Sequence, residues 1–109
     1  MAVYAAVGHL TLDEIPPGSG NLRLGGSVSY GSMFAVGLGC SSIVVSRVGR
    51  DLPESLLEQL RGNGIDTSLV RRTCERTTRF AIKPGEGSQV TGLAHKCDPI
   101  PPEDLAGIE

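Results

Sequence analysis

The sequence predicts an α/β protein in which helices pack on a parallel sheet and a small β hairpin lies at one edge. Apolar runs and amphipathic segments alternate as strand, helix, strand, helix, an order that gives parallel strands joined by right-handed crossovers. Near the C-terminus, two short β-type runs flank a glycine-rich turn, which is typical of a hairpin. The chain has 109 residues, of which 39% are hydrophobic, and this size and composition indicate one domain. Because two core strands make a thin sheet, we expect the sheet to be incomplete.

The first predicted strand comprises residues 2–7 (AVYAAV), which are apolar and directly followed by a glycine. Residues 13–20 have the composition of a turn, because their two prolines and two glycines cannot continue a helix or a central strand. Leucines alternate with polar residues in 21–24, as they do in an edge strand, before a glycine pair interrupts the chain.

The first predicted helix begins near Tyr30 and has Ser27 or Ser29 as its N-cap. Gly31 and Gly37 lie inside it and would each cost about 1 kcal/mol relative to Ala. A helix tolerates such glycines where it lies tightly against a sheet. The residues that predict this helix recur at helical spacing: Tyr30, Met33, Phe34, Gly37 and Leu38.

A second strand and a second helix follow. Residues 42–48 (SIVVSRV) are rich in β-branched residues, which is typical of a strand covered on both faces. We expect Asp51 to cap the next helix together with Glu54, and residues 62–64 (GNG) to end it. Four leucines form the apolar face of this helix: Leu52, Leu56, Leu57 and Leu60.

The C-terminal third predicts a hairpin and one further helical turn. Residues 79–82 and 89–93 are the predicted strands, and residues 84–87 (PGEG) form the turn between them. Residues 101–105 (PPEDL) have the composition of the first turn of a helix.

Composition argues against two classes of partner. The chain has 10 Lys and Arg against 12 Asp and Glu, so it lacks the general positive field of a nucleic-acid-binding protein. No apolar run approaches the roughly 18 residues that a membrane span requires. We therefore expect no nucleic acid, no membrane and, without the cationic start of an export signal, a cytoplasmic location. A solvated loop explains the four clustered arginines better than RNA or DNA binding does: Arg71, Arg72, Arg76 and Arg79.

The three cysteines predict neither a disulfide framework nor a zinc site. Cys40, Cys74 and Cys97 are odd in number and lack paired CxxC spacing, so we expect all three to be reduced. His95 and Cys97 could supply two metal ligands, but a surface histidine beside an unrelated thiol is the simpler interpretation, and we expect no metal.

Five motifs, taken in order, resemble the N-terminal part of the PfkB-type carbohydrate kinases, the ribokinase-like family. They are VGHLTLD (7–13), the glycine pair heading a helix that ends AVGLG (35–39), VGRD (48–51), NGIDT (63–67) and Thr77-Thr78 before a strand. The resemblance covers nearly the whole chain. It implies a partial ribokinase-like (Rossmann-like) sheet with helices, in a single truncated N-terminal substrate-binding portion spanning 1–109. It also implies lid strands near 21–26 and 79–93.

The candidate site residues lie near the start of the chain. Asp13 follows the first predicted strand, at the end where open α/β sheets bind ligands. A carboxylate there can accept hydrogen bonds from two neighbouring hydroxyls, although the residues alone favour a simple turn that Asp13 starts with Glu14. In the kinases that this chain resembles, this Asp binds the sugar. Gly25 and Gly26 let the backbone approach a hydroxyl-rich ligand closely, or they form an ordinary tight turn.

Two further residues complete the candidate set. Thr11 is placed to add a hydroxyl contact, or else it faces solvent. Tyr30 stands where many sugar-binding members carry Asn, so we expect it to stack on a ring or to wall the pocket. In this respect the sequence is similar to a branch that includes inositol-kinase-like members.

The resemblance implies a kinase that uses ATP and Mg²⁺ to phosphorylate a hydroxyl of a sugar, cyclitol or nucleoside. The family's second signature, a Gly-Ala-Gly-Asp run that supplies the anion hole and the base, does not occur in this sequence. We therefore expect the 109 residues alone to contain no catalytic residue and to be inactive. Two alternatives remain open: a non-catalytic module that pairs or dimerises through its lid strands, and a small phosphate- or nucleotide-binding α/β domain.

Overall fold

The computed structural model describes the backbone of residues 2–85 and 89–108, and their side chains except those of residues 89–91. In chain order the elements are β1 (Val3–Val7), β2 (Thr11–Glu14), β3 (Leu22–Gly25), α1 (Ser27–Gly37), β4 (Ser41–Gly49), α2 (Glu54–Gly62), β5 (Ile65–Cys74), β6 (Arg79–Lys83), β7 (Gln89–His95) and a 3₁₀ helix (Pro102–Leu105). They form two sheets, and the predicted α/β class is confirmed. Among the described residues, no helix is long and apolar enough to cross a bilayer.

The first sheet is parallel and has the order β1-β4-β5. Its strands β1 and β4 match the predicted ones closely. The third strand, β5, was not predicted, because its arginines and its NGIDT start resemble a polar linker. Arg71, Arg72 and Arg79 were expected in a solvated loop, and this was wrong: the first two lie on β5 and Arg79 begins β6. Arg72 donates to the carbonyl oxygens of Gly49 and Leu52, each at 2.9 Å. An edge strand needs few inward apolar residues, so its pattern is weak.

Helix α1 packs on the first sheet through small residues. Ser32 is fully buried, and its carbonyl oxygen accepts a hydrogen bond from the Ser42 hydroxyl of β4 at 3.1 Å. The apolar stripe that predicted the helix instead faces outwards, with Phe34 70% and Leu38 69% exposed. The expected serine N-cap was also wrong: Gly26 is the N-cap and no side chain caps the helix.

Helix α2 confirms the predicted leucine face, with Leu57 and Leu60 buried in the core. The expected capping box was wrong, because α2 begins only at Glu54 and has Pro53 as its N-cap. The Asp51 carboxylate is used elsewhere, since it accepts hydrogen bonds from Thr77. A tertiary contact therefore replaces the local cap.

The second sheet has the order β3-β2-β6-β7, with β2 antiparallel to β3, β2 parallel to β6 and β6 antiparallel to β7. The predicted edge strand and the two hairpin strands are present, but the expected position at one edge of the parallel sheet was wrong, because these strands form a sheet of their own. Of the predicted turn, Glu86 and Gly87 lie outside the described residues. Asp13 was expected at the end of the first strand and in a turn. This was wrong, because it lies within β2, in the second sheet.

Thr77 and Thr78 join the two sheets. The Thr77 hydroxyl accepts from the Gly49 N–H at 2.9 Å and donates to Asp51 Oδ1 at 2.8 Å. The Thr77 N–H donates to the same carboxylate oxygen at 2.7 Å. On the other side, the Thr78 carbonyl accepts from the N–H of Leu12, in β2, at 2.9 Å. Asp51 of the VGRD motif and Thr77, which are 26 residues apart in the chain, thus meet in one junction.

The expectation of three reduced cysteines was wrong for two of them. Cys74 and Cys97 form a disulfide, with their Cα atoms 5.9 Å apart, and Cys40 is free. Sequence spacing did not indicate the pair, because the second sheet folds back on the first and brings the end of β5 beside the segment after β7. The N–H of Asp98 also donates to Cys74 Sγ at 3.2 Å.

The C-terminal 3₁₀ helix is held on the first sheet by an ion pair. Asp104 is buried and accepts from Arg47, on β4, at 2.7 and 3.2 Å. Arg71 lies 3.4 Å from the same carboxylate. The hydrogen bonds from Arg47 lower the pKa of Asp104 despite the opposing effect of burial.

Replacing Thr77 tests the junction between the sheets. Thr77→Val removes the hydroxyl and leaves the Gly49 N–H and the Asp51 carboxylate short of a partner. We expect a loss of about 2–3 kcal/mol in the free energy of unfolding, measured with urea. Thr73→Val, at an exposed site on β5, should change it by less than about 0.5 kcal/mol. Equal effects of the two variants would contradict the junction.

Replacing Asp104 tests its ion pair through pH. Because the folded pKa of Asp104 lies below the ordinary Asp value of about 3.9, the charged pair stabilises the protein above that pH. This contribution is lost as the pH falls through the folded pKa. The stability difference between the wild type and Asp104→Asn should therefore shrink between about pH 5 and pH 2, as measured by urea unfolding. A difference that does not vary with pH would contradict the assignment, and the exposed neighbour variant Glu103→Gln serves as the control.

Candidate functional site

A cavity of about 320 Å³ lies where the second sheet meets the start of α1. We call it the Thr11 cavity. Polar groups from β2, the α1 N-terminus and the segment after β7 meet apolar side chains from β6 and β7. Its lining residues are His9, Thr11, Gly26, Ser27, Thr78, Phe80, Leu93 and Lys96.

Thr11 and Asp13 lie beside one another because residues two apart on a strand share a face. Both side chains are buried, and the Thr11 hydroxyl donates to Asp13 Oδ1 at 2.7 Å. Among the described residues, Asp13 Oδ2 accepts no hydrogen bond. The carboxylate is therefore held in one orientation by Thr11 and keeps capacity to accept a further donor.

Both glycines pack closely at this site, Gly25 against Asp13 and Gly26 against His9 and Thr11. A Cβ on Gly25 would overlap the carboxylate of Asp13, so the absence of a side chain makes room for the charged group. Gly26 has φ +93°, which L side chains rarely adopt, and a Cβ there would lie 2.5 Å from the His9 carbonyl oxygen. Gly26 is also the N-cap of α1, and its carbonyl accepts from the N–H of Ser29 at 3.1 Å.

The structure thus brings together four of the five predicted site residues, and it separates Tyr30 from them. Tyr30 is 66% exposed and lines a second cavity of about 530 Å³ between α1, α2 and β3. It was expected to wall the same pocket as Asp13, and the structure places it elsewhere. Helical spacing placed Tyr30 on α1 but could not show which side of the helix borders the Thr11 cavity.

Sequence reasoning missed several residues of the Thr11 cavity. Phe80 pairs with Asp13 in the β2–β6 register, and it shares the face of the sheet that carries the carboxylate. Lys96 brings a cation to the rim, and His9 Nε2 lies 2.7 Å from the Asp98 carbonyl oxygen. The alternation along 79–82 could have indicated Phe80. Lys96 had no local signal, because only the fold-back of β7 brings it near β2.

The neighbouring carboxylate of Glu14 binds the turn after β2. It points to the opposite face of β2 and accepts from the N–H groups of Gly18 and Gly20 at 2.8 and 3.1 Å. These two hydrogen bonds lower the pKa of Glu14, and the one from Gly18 has the larger effect. Glu14 therefore organises the turn after β2, whereas the Asp13 carboxylate is bound by Thr11, which lines the cavity.

The part of the chain that the structure describes contains no group of three or more His, Cys, Asp or Glu side chains that could hold a metal ion. Within residues 2–85 and 89–108, the side chains therefore do not offer a ligand set for Mg²⁺. The sequence also lacks the GxxxxGK spacing of a phosphate-binding loop.

Comparisons with known proteins show similarity at the level of the fold. No family model and no curated protein matches the chain. Solved structures do match it. A pyrophosphate-dependent kinase in the ribokinase family, in a sulfate complex, is 26% identical with a TM-score of 0.74, and the match covers 100% of this chain and 38% of that one. The same kind of kinase, complexed with a pyrophosphate analog and myo-inositol, is 28% identical with a TM-score of 0.69, covering 100% and 37%.

A third match is a fructokinase from Vibrio cholerae, 20% identical with a TM-score of 0.70, covering 92% of this chain and 36% of that one. The chain therefore spans little more than a third of the length of the structures that it matches. The resemblance to the ribokinase family that the motifs indicated is confirmed in the structure, and the fold is part of the ribokinase-like fold.

Substituting Gly25 tests the close fit between the glycine and the carboxylate. Gly25→Ala should lower the melting temperature, because the new methyl group overlaps Asp13. In Asp13→Ala the overlap is removed, so the two substitutions should couple by more than about 0.5 kcal/mol in a double-mutant cycle. Gly92→Ala, where a Cβ meets nothing within 4 Å, is the control and should have little effect. Strict additivity of the two effects would contradict the fit.

Proposed function

We propose that this chain forms the polyol-binding portion of a kinase of the ribokinase family. The intact kinase transfers a phosphoryl group from its donor to a hydroxyl of a sugar, cyclitol or nucleoside. Residues 1–109 act as one N-terminal substrate-binding portion, with β3, β6 and β7 as lid strands over the ligand.

One observation carries the proposal: a buried carboxylate with spare acceptor capacity lies beside a glycine that leaves space for it. Burying a charge is costly unless hydrogen bonds compensate it, and Thr11 supplies one such bond. A ligand with two adjacent hydroxyls would supply more. Each charge-assisted bond to Asp13 would contribute about 1.5–3 kcal/mol.

The surroundings of Asp13 match the remaining surface of a polyol. The ring of Phe80 and the side chain of Leu93 give the cavity an apolar wall for the C–H groups of a sugar or cyclitol ring. The backbone at Gly26 can approach the ligand closely, and Lys96 can donate to a hydroxyl at the rim. These residues bind and orient the ligand, and none of them is assigned as catalytic.

The phosphate donor is assigned to another part of the kinase. Solved relatives include a sugar kinase from Pyrococcus horikoshii in complex with ATP and a kinase that depends on pyrophosphate. The described residues do not fit ATP with Mg²⁺, so no step of phosphoryl transfer is derived from them. We propose that ATP and Mg²⁺, or pyrophosphate, bind residues that complete the fold outside this chain.

A cyclitol is the favoured ligand. The structure complexed with myo-inositol is 28% identical to this chain, against 20% for the fructokinase.

A second candidate function is assembly through strand edges. In the second sheet, β3 and β7 are the outer strands, so each has one edge without a partner strand among the described residues. Such edges can pair with a second copy of the chain. We propose a homodimer through these strands as the alternative, and sedimentation would reveal it.

Ligand binding to the chain tests the proposed function. Isothermal titration with myo-inositol, fructose and adenosine compares a cyclitol, a sugar and a nucleoside. We expect myo-inositol to bind most tightly. Asp13→Asn should weaken myo-inositol binding about 10- to 100-fold, which corresponds to about 1.4–2.8 kcal/mol of binding free energy. Glu75→Gln, at an exposed carboxylate, is the control and should bind like the wild type.

Two results would contradict the proposal. One is the absence of binding by all three ligands, and the other is equal binding by the wild type and Asp13→Asn. We also expect the chain alone to transfer no phosphate from ATP or pyrophosphate to myo-inositol. Detectable transfer would show that the donor site lies within these residues.

A further inference from the structure

The chain segment that follows β7 forms one side of the Thr11 cavity. We call residues 96–98 the rim segment. Lys96 lines the cavity, and the N–H of Cys97 donates to the Thr78 hydroxyl at 3.0 Å. Thr78 lines the cavity as well, so this hydrogen bond connects the rim segment to the rest of the lining. The position of Lys96 therefore depends on how its neighbour Cys97 is held.

A disulfide fixes the rim segment to the first sheet. Cys97 is bonded to Cys74, the last residue of β5, and their Cα atoms are 5.9 Å apart. The N–H of Asp98 donates to Cys74 Sγ at 3.2 Å. The Asp98 carbonyl oxygen lies 2.7 Å from Nε2 of His9, which also lines the cavity. The disulfide thus links β5 covalently to one side of the candidate site.

The core and the junction between the two sheets are independent of this disulfide. Neither cysteine belongs to the cluster of packed apolar residues that forms the core. The junction joins the sheets through the hydrogen bonds of Thr77 with Asp51 and Gly49. Loss of the disulfide therefore frees the rim segment and leaves both sheets in place.

The two sulfur atoms differ in their access to solvent. Cys97 is 3% exposed, whereas Cys74 is half-buried at the end of an edge strand. A thiolate from solvent therefore attacks Sγ of Cys74, which breaks the S–S bond, and Cys97 leaves as a thiolate that takes up a proton. When the reagent is a dithiol, its second thiol then attacks its own bonded sulfur and releases Cys74 as a thiol. Two electrons and two protons pass to the protein, and the reagent leaves as a disulfide.

We propose that the Cys74–Cys97 disulfide is a redox switch for ligand binding in the Thr11 cavity. In the oxidised chain, the disulfide holds the rim segment and Lys96 at the cavity. After reduction by a dithiol, the rim segment moves away from β5, because two unbonded sulfurs cannot stay at bonding distance. Lys96 then no longer donates to the ligand. This inference rests on the proposed function, because the ligand whose binding changes is the polyol of that proposal.

Thiol counting and hydrogen exchange test the switch without a ligand. The reagent is dithiothreitol, and thiols are counted in denaturant before and after its use. We expect one thiol, that of Cys40, in the oxidised chain and three after reduction. Reduction should speed hydrogen exchange at the amides of Cys97 and Asp98 about tenfold or more. The amides of Val44 and Val45 in β4 are the internal control and should change by less than about twofold.

Isothermal titration with myo-inositol tests the effect of the switch on the site. The reduced chain should bind roughly five- to tenfold more weakly than the oxidised chain, which corresponds to the loss of one hydrogen bond. Cys97→Ala should match the reduced chain with or without dithiothreitol. Cys74→Ser, at the half-buried end of the disulfide, should do the same and replaces Cys97→Ala if that variant does not fold. Cys40→Ser keeps the disulfide and is the matched control, which should respond to dithiothreitol like the wild type.

The outcomes separate this inference from the proposed function. Three thiols before reduction, unchanged exchange in the rim segment, or equal myo-inositol affinity in the two redox states would each overturn the switch. Unfolding of the reduced chain, as measured by circular dichroism, would also overturn it, because the disulfide would then support the whole fold. If myo-inositol binds neither redox state, the proposed function fails, and the exchange rates alone decide whether the disulfide controls the rim segment.

Discussion

The hydrogen bonds of one fully buried threonine connect the two sheets of this protein. Thr77 binds the Asp51 carboxylate through both its N–H and its hydroxyl, and the hydroxyl also accepts from Gly49. A Cβ on Gly49 would collide with the backbone at residues 76–77, so the glycine allows the close contact. The next residue, Thr78, pairs with β2, the strand that carries Asp13. The position of the candidate site relative to the first sheet therefore depends on this junction.

The sequence predicts the elements with strong local patterns and misses those that depend on distant contacts. The β-branched run of β4 and the leucine face of α2 are recognisable from the sequence alone. β5 does not, because the polar residues of an edge strand resemble a linker. Asp51 matched a helix cap in sequence but is bound to Thr77 in the fold. Similarly, the pairing of Cys74 with Cys97 follows from the fold-back of β7, which spacing cannot show.

In the candidate site too, some residues could be placed from the sequence and others could not. Asp13 and the pair Gly25-Gly26 were selected as neighbours from the family resemblance, and the structure places Gly25 against Asp13. Their relation is steric as much as chemical, since the carboxylate occupies the space that a side chain on Gly25 would need. Tyr30 was selected from the same motif, but it lines the cavity between α1, α2 and β3 and not the Thr11 cavity. A motif specifies residues along the chain, whereas the direction of each side chain depends on how the helix packs.

The disulfide gives the second sheet an uncommon covalent topology. Cys74 ends β5 and Cys97 follows β7, so β6 and β7 both lie inside a closed ring of polypeptide. Breaking one peptide bond between these two strands would open the ring without dividing the molecule. A protease that cuts there would leave both pieces attached, and the nick would become visible on a gel only after reduction.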